Sequence, residues 1–160
     1  MSPTPKAHLT IVTETFAPEV NGVANTLDYL CRGLIERGNR IDLVRPRRRN
    51  ERAIARSQQV DSHQVVPSLP LPGYPELRFG LPAKRRLMRQ WTNQRPDAVY
   101  IATQGPLGWS ALSAARQLKI PVATGFHTNF QQYCRYYGVG FLESMVRSYL
   151  RLFHNRSQQT

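Results

Sequence analysis

Two cysteines, Cys31 and Cys134, are all that the 160 residues contain. That is too few for a disulfide framework, and no Cys-x-x-Cys pair sets up a zinc site. The histidines His8, His63 and His154 are scattered without partners, so metal binding is not expected (metal: none). Apolar residues never run on for the roughly 18 positions that a membrane-crossing helix needs. The opening Met1-Ser2-Pro3-Thr4-Pro5-Lys6 lacks the apolar stretch of a secretory leader, and the expectation is a cytoplasmic chain. A Gly-x-Gly-x-x-Gly fingerprint and a Walker A loop are also missing. Acid is scarce: ten Asp and Glu stand against 22 Lys and Arg, a formal charge of +12. Such an excess favours an anionic partner, whether nucleic acid, an acidic membrane surface or a phosphorylated substrate. An arginine-rich coding habit is the bland alternative.

What is present is the material of one globular domain over residues 1–160, with 41% hydrophobic and 20% charged residues. Leu9 to Thr13 is a short β-branched run that reads as a buried strand. From Gly22 the spacing turns helical, with Val23, Leu27, Leu30, Cys31 and Leu34 on one face. Asn21 fits the N-cap, Gly38 fits a left-handed position past the end, and Cys31 fits as small core filler. Arg40 to Val44 returns to strand. Arg45 to Gln59 reads as an exposed basic loop or short helix, and Gln64 to Val66 as a third strand. Five prolines from Pro67 to Pro82 are expected to keep that stretch free of regular structure. Pro82 to Gln94 reads as a helix, Ala98 to Thr103 as a strand, Leu107 to Leu118 as a helix, Pro121 to Gly125 as a strand and Leu142 to Phe153 as a helix. The alternation predicts an α/β, Rossmann-like parallel sheet of order 3-2-1-4-5 with helices on both faces.

In such a sheet, ligands bind beyond the carboxyl ends of the strands where the winding reverses. The order places that reversal between the strands at Leu9 and Ala98. Two loops leave those ends, Thr13 to Gly22 and Thr103 to Gly108. Gly22 lets a ligand approach the amides of a helix N-terminus, which attract phosphate, and Gly105 and Gly108 offer the same across the crevice. Tight turns also use glycine, so a lone glycine at a strand–helix turn is open to that plainer explanation. The strand at Pro121 leads into Phe126-His127-Thr128-Asn129-Phe130, which puts an imidazole beside the same crevice, or a loop histidine that caps backbone. Tyr133, Tyr136 and Tyr137 read as a packed aromatic cluster rather than a binding platform.

Thr13 to Asn25 (TETFAPEVNGVAN), Gln104 to Trp109 (QGPLGW) and Phe126 to Phe130 (FHTNF), followed by Tyr137-Gly138, occur in an order and spacing similar to those of family-four retaining glycosyltransferases. The chain resembles the N-terminal, acceptor-side domain of those two-domain GT-B enzymes, in particular those that transfer mannose, glucose or sulfoquinovose to lipids. The resemblance implies that Asn21 and Gly22 lie at the donor diphosphate and the acceptor. It implies that His127, the catalytic candidate, bonds the donor sugar with Thr128 beside it. It also implies that Tyr74 and the loop of Gln104, Gly105 and Gly108 line the acceptor side. The implied reaction keeps the anomeric configuration, uses the leaving phosphate as base and needs no cofactor or obligatory metal. The donor-binding C-terminal domain is absent from the sequence, so the expectation is a nucleotide-sugar enzyme's front half, inactive alone.

On a helical wheel Leu81, Leu87, Met88 and Trp91 share one arc with Lys84 among them, and Arg85, Arg86 and Arg89 lie opposite. The three arginines are candidate contacts to an anionic membrane surface, or simply solvated cations of a helix packed on the sheet. Two rival classes stay in view: a non-catalytic Rossmann-like binding module, and a nucleic-acid-binding protein supported only by charge. No nucleic-acid-reading motif accompanies that charge, and nucleic acid is not expected as the partner.

Overall fold

The computed structural model describes residues 6–17, 19, 21–49, 60–72, 74–125, 151, 152 and 155, with no side-chain description at 71 and 74–77. Five parallel strands form the main sheet: β1 (His8–Val12), β2 (Arg40–Pro46), β3 (Ser62–Val66), β6 (Ala98–Ile101) and β7 (Val122–Thr124). β4 (Ser68–Leu71) and β5 (Tyr74–Gly80) pair with each other as an antiparallel ribbon. The sheet order is β3-β2-β1-β6-β7. This is the expected 3-2-1-4-5, with the last two strands renumbered because the ribbon precedes them.

Side chains alternate across the strands, and both faces are buried, as a parallel sheet requires. Ile11, Ile41 and Leu43 face helix α1 (Gly22–Glu36), where Leu27, Cys31 and Phe16 complete one core. Val12, Val44, Val99 and Ile101 face α2 (Lys84–Asn93) and α3 (Pro106–Gln117), against Leu87, Trp91, Leu107 and Ala111. Each fully buried Leu, Ile or Val contributes about 1.5–3 kcal/mol, so these two layers carry most of the stability.

The ends of α1 follow the local chemistry. The Asn21 Oδ1 accepts the Ala24 amide at 2.8 Å, and Gly38 sits at φ +84° just past Arg37. The Cys31 thiol is core filler, pushed up to about 12 by burial and then by Asp28. Leu30, placed on the apolar face by its spacing, is 39% exposed, because Ala24, Leu27 and Cys31 already span the contact with the sheet.

Three further expectations change. The proline-rich stretch does form regular structure. A two-stranded ribbon leaves alternate amides on its outer edges, where a proline nitrogen forfeits no bond, and the register slips between Pro70 and Leu71. Pro82 precedes α2 rather than starting it, since Ala83 is the N-cap, and Lys84 is exposed rather than apolar-facing. The start of the basic stretch is not a loose loop: Arg45 closes β2, 1% exposed, and donates to the His63 Nε2 at 2.6 Å and the Pro46 carbonyl at 2.9 Å. An arginine only donates, so that His63 nitrogen carries no proton. Of the expected helix from Leu142 to Phe153, the described residues Arg151 and Leu152 are helical.

Candidate functional site

The winding direction reverses between β1 and β6, which lie side by side from Leu9↔Ala98 to Val12↔Ile101. The loops leaving their carboxyl ends therefore flank one crevice.

The β1–α1 loop is built from short polar bonds. Thr13 is buried, extends the pairing through its amide to the Val44 carbonyl, and donates its hydroxyl to the Thr15 carbonyl at 2.7 Å. The Thr15 hydroxyl donates to Glu19 and accepts from the Asn21 Nδ2 at 2.8 Å. Both ends of the Asn21 amide are thus committed, one to the loop and one to capping α1. Arg48, two residues beyond β2, braces the same loop. It donates to the Phe16 carbonyl at 2.9 Å and to the Ala17 carbonyl, and its Nε lies 3.5 Å from Glu19. The result is a fixed approach to the first turn of α1. That turn contains no acid, and a side chain built at Gly22 would meet nothing within 4 Å. A bare, positively polarised helix end opens there.

Across the crevice the glycines have a different reason. A Cβ on Gly108 would lie 2.2 Å from the Thr103 carbonyl oxygen, so α3 packs on β6 through bare backbone. A Cβ on Gly105 would lie 2.3 Å from the Glu14 Oε1. Packing accounts for glycine at both positions. Gln104 is 3% exposed, and its Nε2 donates to the Gly125 carbonyl at 2.7 Å, which ties the end of β6 to the end of β7.

Glu14 occupies the space between these loops. Its amide donates to the Thr103 hydroxyl at 2.8 Å, and its Oε2 accepts the Gly80 amide at 2.6 Å. The residue as a whole is only partly buried, yet its Oε1 is shut off from water without a hydrogen-bond partner among the described residues. Loss of hydration pushes its carboxyl up to about 7 from 4.5, against the pull of the Gly80 and Leu107 amides. α3 has no side-chain cap of its own, and the Glu14 carboxyl lies over its first turn. A phosphate approaching α3 meets this acid; the first turn of α1 carries no acid of its own, the nearby Glu19 being bonded to Thr15 and paired with Arg48.

Of the site residues read from sequence, Asn21, Gly22, Gln104, Gly105 and Gly108 are brought to the crevice. His127 and Thr128 lie outside the described residues, as does the side chain of Tyr74, whose backbone opens β5. Arg85, Arg86 and Arg89 are exposed on α2. Glu14, Arg48 and Gly80 were not singled out. A lone acid at the end of a buried strand was the available signal for Glu14; Gly80 and Arg48 carried none. Among the described residues, no group of three or more His, Cys, Asp or Glu is placed to hold a metal ion.

The order of strands and the crevice at the reversal define a Rossmann-like α/β domain, open at the carboxyl ends where ligands of such sheets bind. Residues 20–160 match Glycosyltransferase Family 4, and the chain belongs to that family. It is 30% identical over 151 residues to a GDP-mannose-dependent alpha-mannosyltransferase of Mycolicibacterium smegmatis, covering 94% of this chain and 40% of that one. It is 26% identical to the alpha-monoglucosyldiacylglycerol synthase of Streptococcus pneumoniae, over 89% of this chain and 32% of the relative. It is 23% identical to a sulfoquinovosyl transferase of Arabidopsis thaliana, over 88% and 27%. The chain thus spans about 40% of the length of the mannosyltransferases it matches.

Proposed function

We propose that the chain forms the acceptor-side half of a retaining hexosyltransferase, which moves a hexose from a nucleotide-sugar to a lipid or sugar acceptor. The observation that carries this reading is the open first turn of α1 at the strand reversal, with Asn21 locked and Gly22 bare. That end takes the donor diphosphate. Gln104, Gly105, Gly108 and the ribbon with Tyr74 form the acceptor wall, and His127 and Thr128 follow β7 to meet the donor sugar. In the reaction, the bond from the anomeric carbon to the diphosphate breaks and a bond to the acceptor oxygen forms on the same face. The acceptor's proton leaves with the phosphate, so no resident cofactor is required. The protein contributes position and charge stabilisation. The named activities of the relatives, GDP-mannose-dependent mannosyl transfer and synthesis of monoglucosyldiacylglycerol, support both the donor class and a lipid acceptor.

Amide NMR of the chain with millimolar GDP or UDP tests the reading. Shifts are expected at Gly22, Val23 and Ala24 and not at Leu107 and Gly108. Shifts centred on α3, or none at all, would overturn it.

A second observation favours work at an anionic membrane surface. Lys84, Arg85, Arg86 and Arg89 are all exposed, with no ion-pair or hydrogen-bond partner among the described residues, while Leu87 and Trp91 are buried beneath them. Each cation near such a surface contributes about 1 kcal/mol. No helix among the described residues is long and apolar enough to cross a membrane. Vesicles of anionic lipid should sediment the chain and lose it when Arg85, Arg86 and Arg89 become Glu. Equal sedimentation, or preferential capture by duplex nucleic acid at physiological salt, would remove this location.

A further inference from the structure

Resting on that reading of the crevice, we propose that Glu14 is its positioning residue, a protonatable tie that holds the β4–β5 ribbon, the β1–α1 loop and the start of α3 as one surface. The three elements have no covalent reason to move together. Glu14 lies 66 positions from Gly80 and 91 from Gly105, yet one side chain contacts both. Its backbone joins the assembly as well, through the Thr103 hydroxyl.

The geometry leaves little room for another role. Glu14 is not offered to a substrate as a bare base, because one oxygen is bonded to Gly80 and the other is walled in over Gly105. What it can do is change the strength of the tie. An ionised carboxylate accepts the Gly80 amide more strongly, and it lies more favourably over the first turn of α3. It also buries a charge that no cation among the described residues offsets. The protonated form reverses all three. No charged side chain is among the causes that set its acidity, which are burial and the two backbone amides. Among the described side chains, the charged groups of the packed elements are turned elsewhere: Arg78 of β5 to Ser68, and Arg48 and Glu19 to each other and to the loop. Beyond those, Thr103 contributes a hydroxyl and α3 its backbone amides. Among the described residues, no charged side chain therefore lies beside Glu14 to mask its answer to solution pH.

Rigid walls matter for a transferase, since a displacement of about 1 Å at the reacting atoms costs on the order of a hundredfold in rate. Gly80 fixes the base of the acceptor ribbon, and the β1–α1 loop fixes Gly22. A carboxyl linking them sets the distance between acceptor wall and diphosphate seat.

The test is a pH titration of the chain by amide NMR, for wild type and Glu14→Gln. In the wild type, the amides of Gly80, Gly105, Leu107 and Gly22 should share one inflection near neutrality, and Glu14→Gln should abolish all of it while sheet amides keep their protection. An inflection confined to Gly80 would reduce Glu14 to a local bond and overturn the proposal, as would one that survives in Glu14→Gln. If that variant fails to fold, the carboxyl resonance of isotope-labelled Glu14 in the wild type decides. Titration in the ordinary glutamate range overturns the proposal, and titration near neutrality together with the four amides supports it. Nucleotide addition separates the two readings. A shared inflection without any GDP response sinks the transferase reading alone, and a GDP response at Gly22 without the inflection sinks the positioning role alone.

Discussion

The folded protein should become less stable as pH rises from about 4.5 to about 7, and Glu14 should account for a measurable part of that loss. The carboxyl titrates near 7 in the folded chain and near 4.5 where it is free of the fold. Between those values the folded state holds a proton that the unfolded state has released. The stabilisation is thus complete below the unfolded value and gone once pH passes the folded one. At about 1.4 kcal/mol for each pH unit, the whole effect is about 3 kcal/mol, and about 2.5 kcal/mol of it falls between about pH 5 and about pH 8. Urea melts of wild type and Glu14→Gln at those two pH values isolate it. Every other titrating group is common to both proteins and cancels. The substitution itself shifts both melts by a constant, because glutamine still accepts the Gly80 amide and does not titrate. A wild-type loss larger than the mutant's by about 2–3 kcal/mol is expected. Equal slopes would refute the claim that this carboxyl is shut off from water.

Gly105→Ala drives a methyl into the Glu14 Oε1, and the expected cost is about 1–3 kcal/mol in a chemical melt, together with an acidity of Glu14 closer to normal. Gly22→Ala, with nothing to strike, should leave stability within about 1 kcal/mol of wild type and weaken the GDP response in NMR. Arg48→Ala removes donors to two loop carbonyls at an expected cost of about 1–3 kcal/mol, with faster hydrogen exchange confined to the β1–α1 loop. The Cys31 thiol, pushed up to about 12, should resist a disulfide reagent near neutral pH in a Cys134→Ser background until urea unfolds the chain.

The sheet order and the crevice were legible because they rest on local signals: β-branched runs, the Asn21 cap, Gly38 past α1, and a rule about where winding reverses. The ribbon was not, because proline is a breaker in a central strand and harmless on a ribbon's outer edge, and only the paired partner tells the two apart. The glycines were read as places for ligand approach or a tight turn, and not as places where another loop's side chain or backbone fills the space. At Gly22 the space is open, whereas at Gly105 and Gly108 it is filled by residues from another loop, Glu14 and Thr103. The buried start of the basic stretch escaped for the same cause. Arg45 and Arg48 find acceptors on β3 and the β1–α1 loop, and sequence distance hides such meetings. His127, Thr128 and the Tyr74 side chain stand on the resemblance alone.

The ribbon meets the rest of the molecule at a narrow base. The Leu81 amide reaches the Pro67 carbonyl at 2.8 Å, so the two ends of the segment are already clasped before anything between them is specified. On the proposed reading, the segment between them can be exchanged as one hairpin, provided residue 68 keeps its bond to the Arg47 carbonyl and residue 80 stays glycine to clear Leu107. Acceptor choice in such a transferase would then be redrawn through one short hairpin closed by the Pro67–Leu81 clasp.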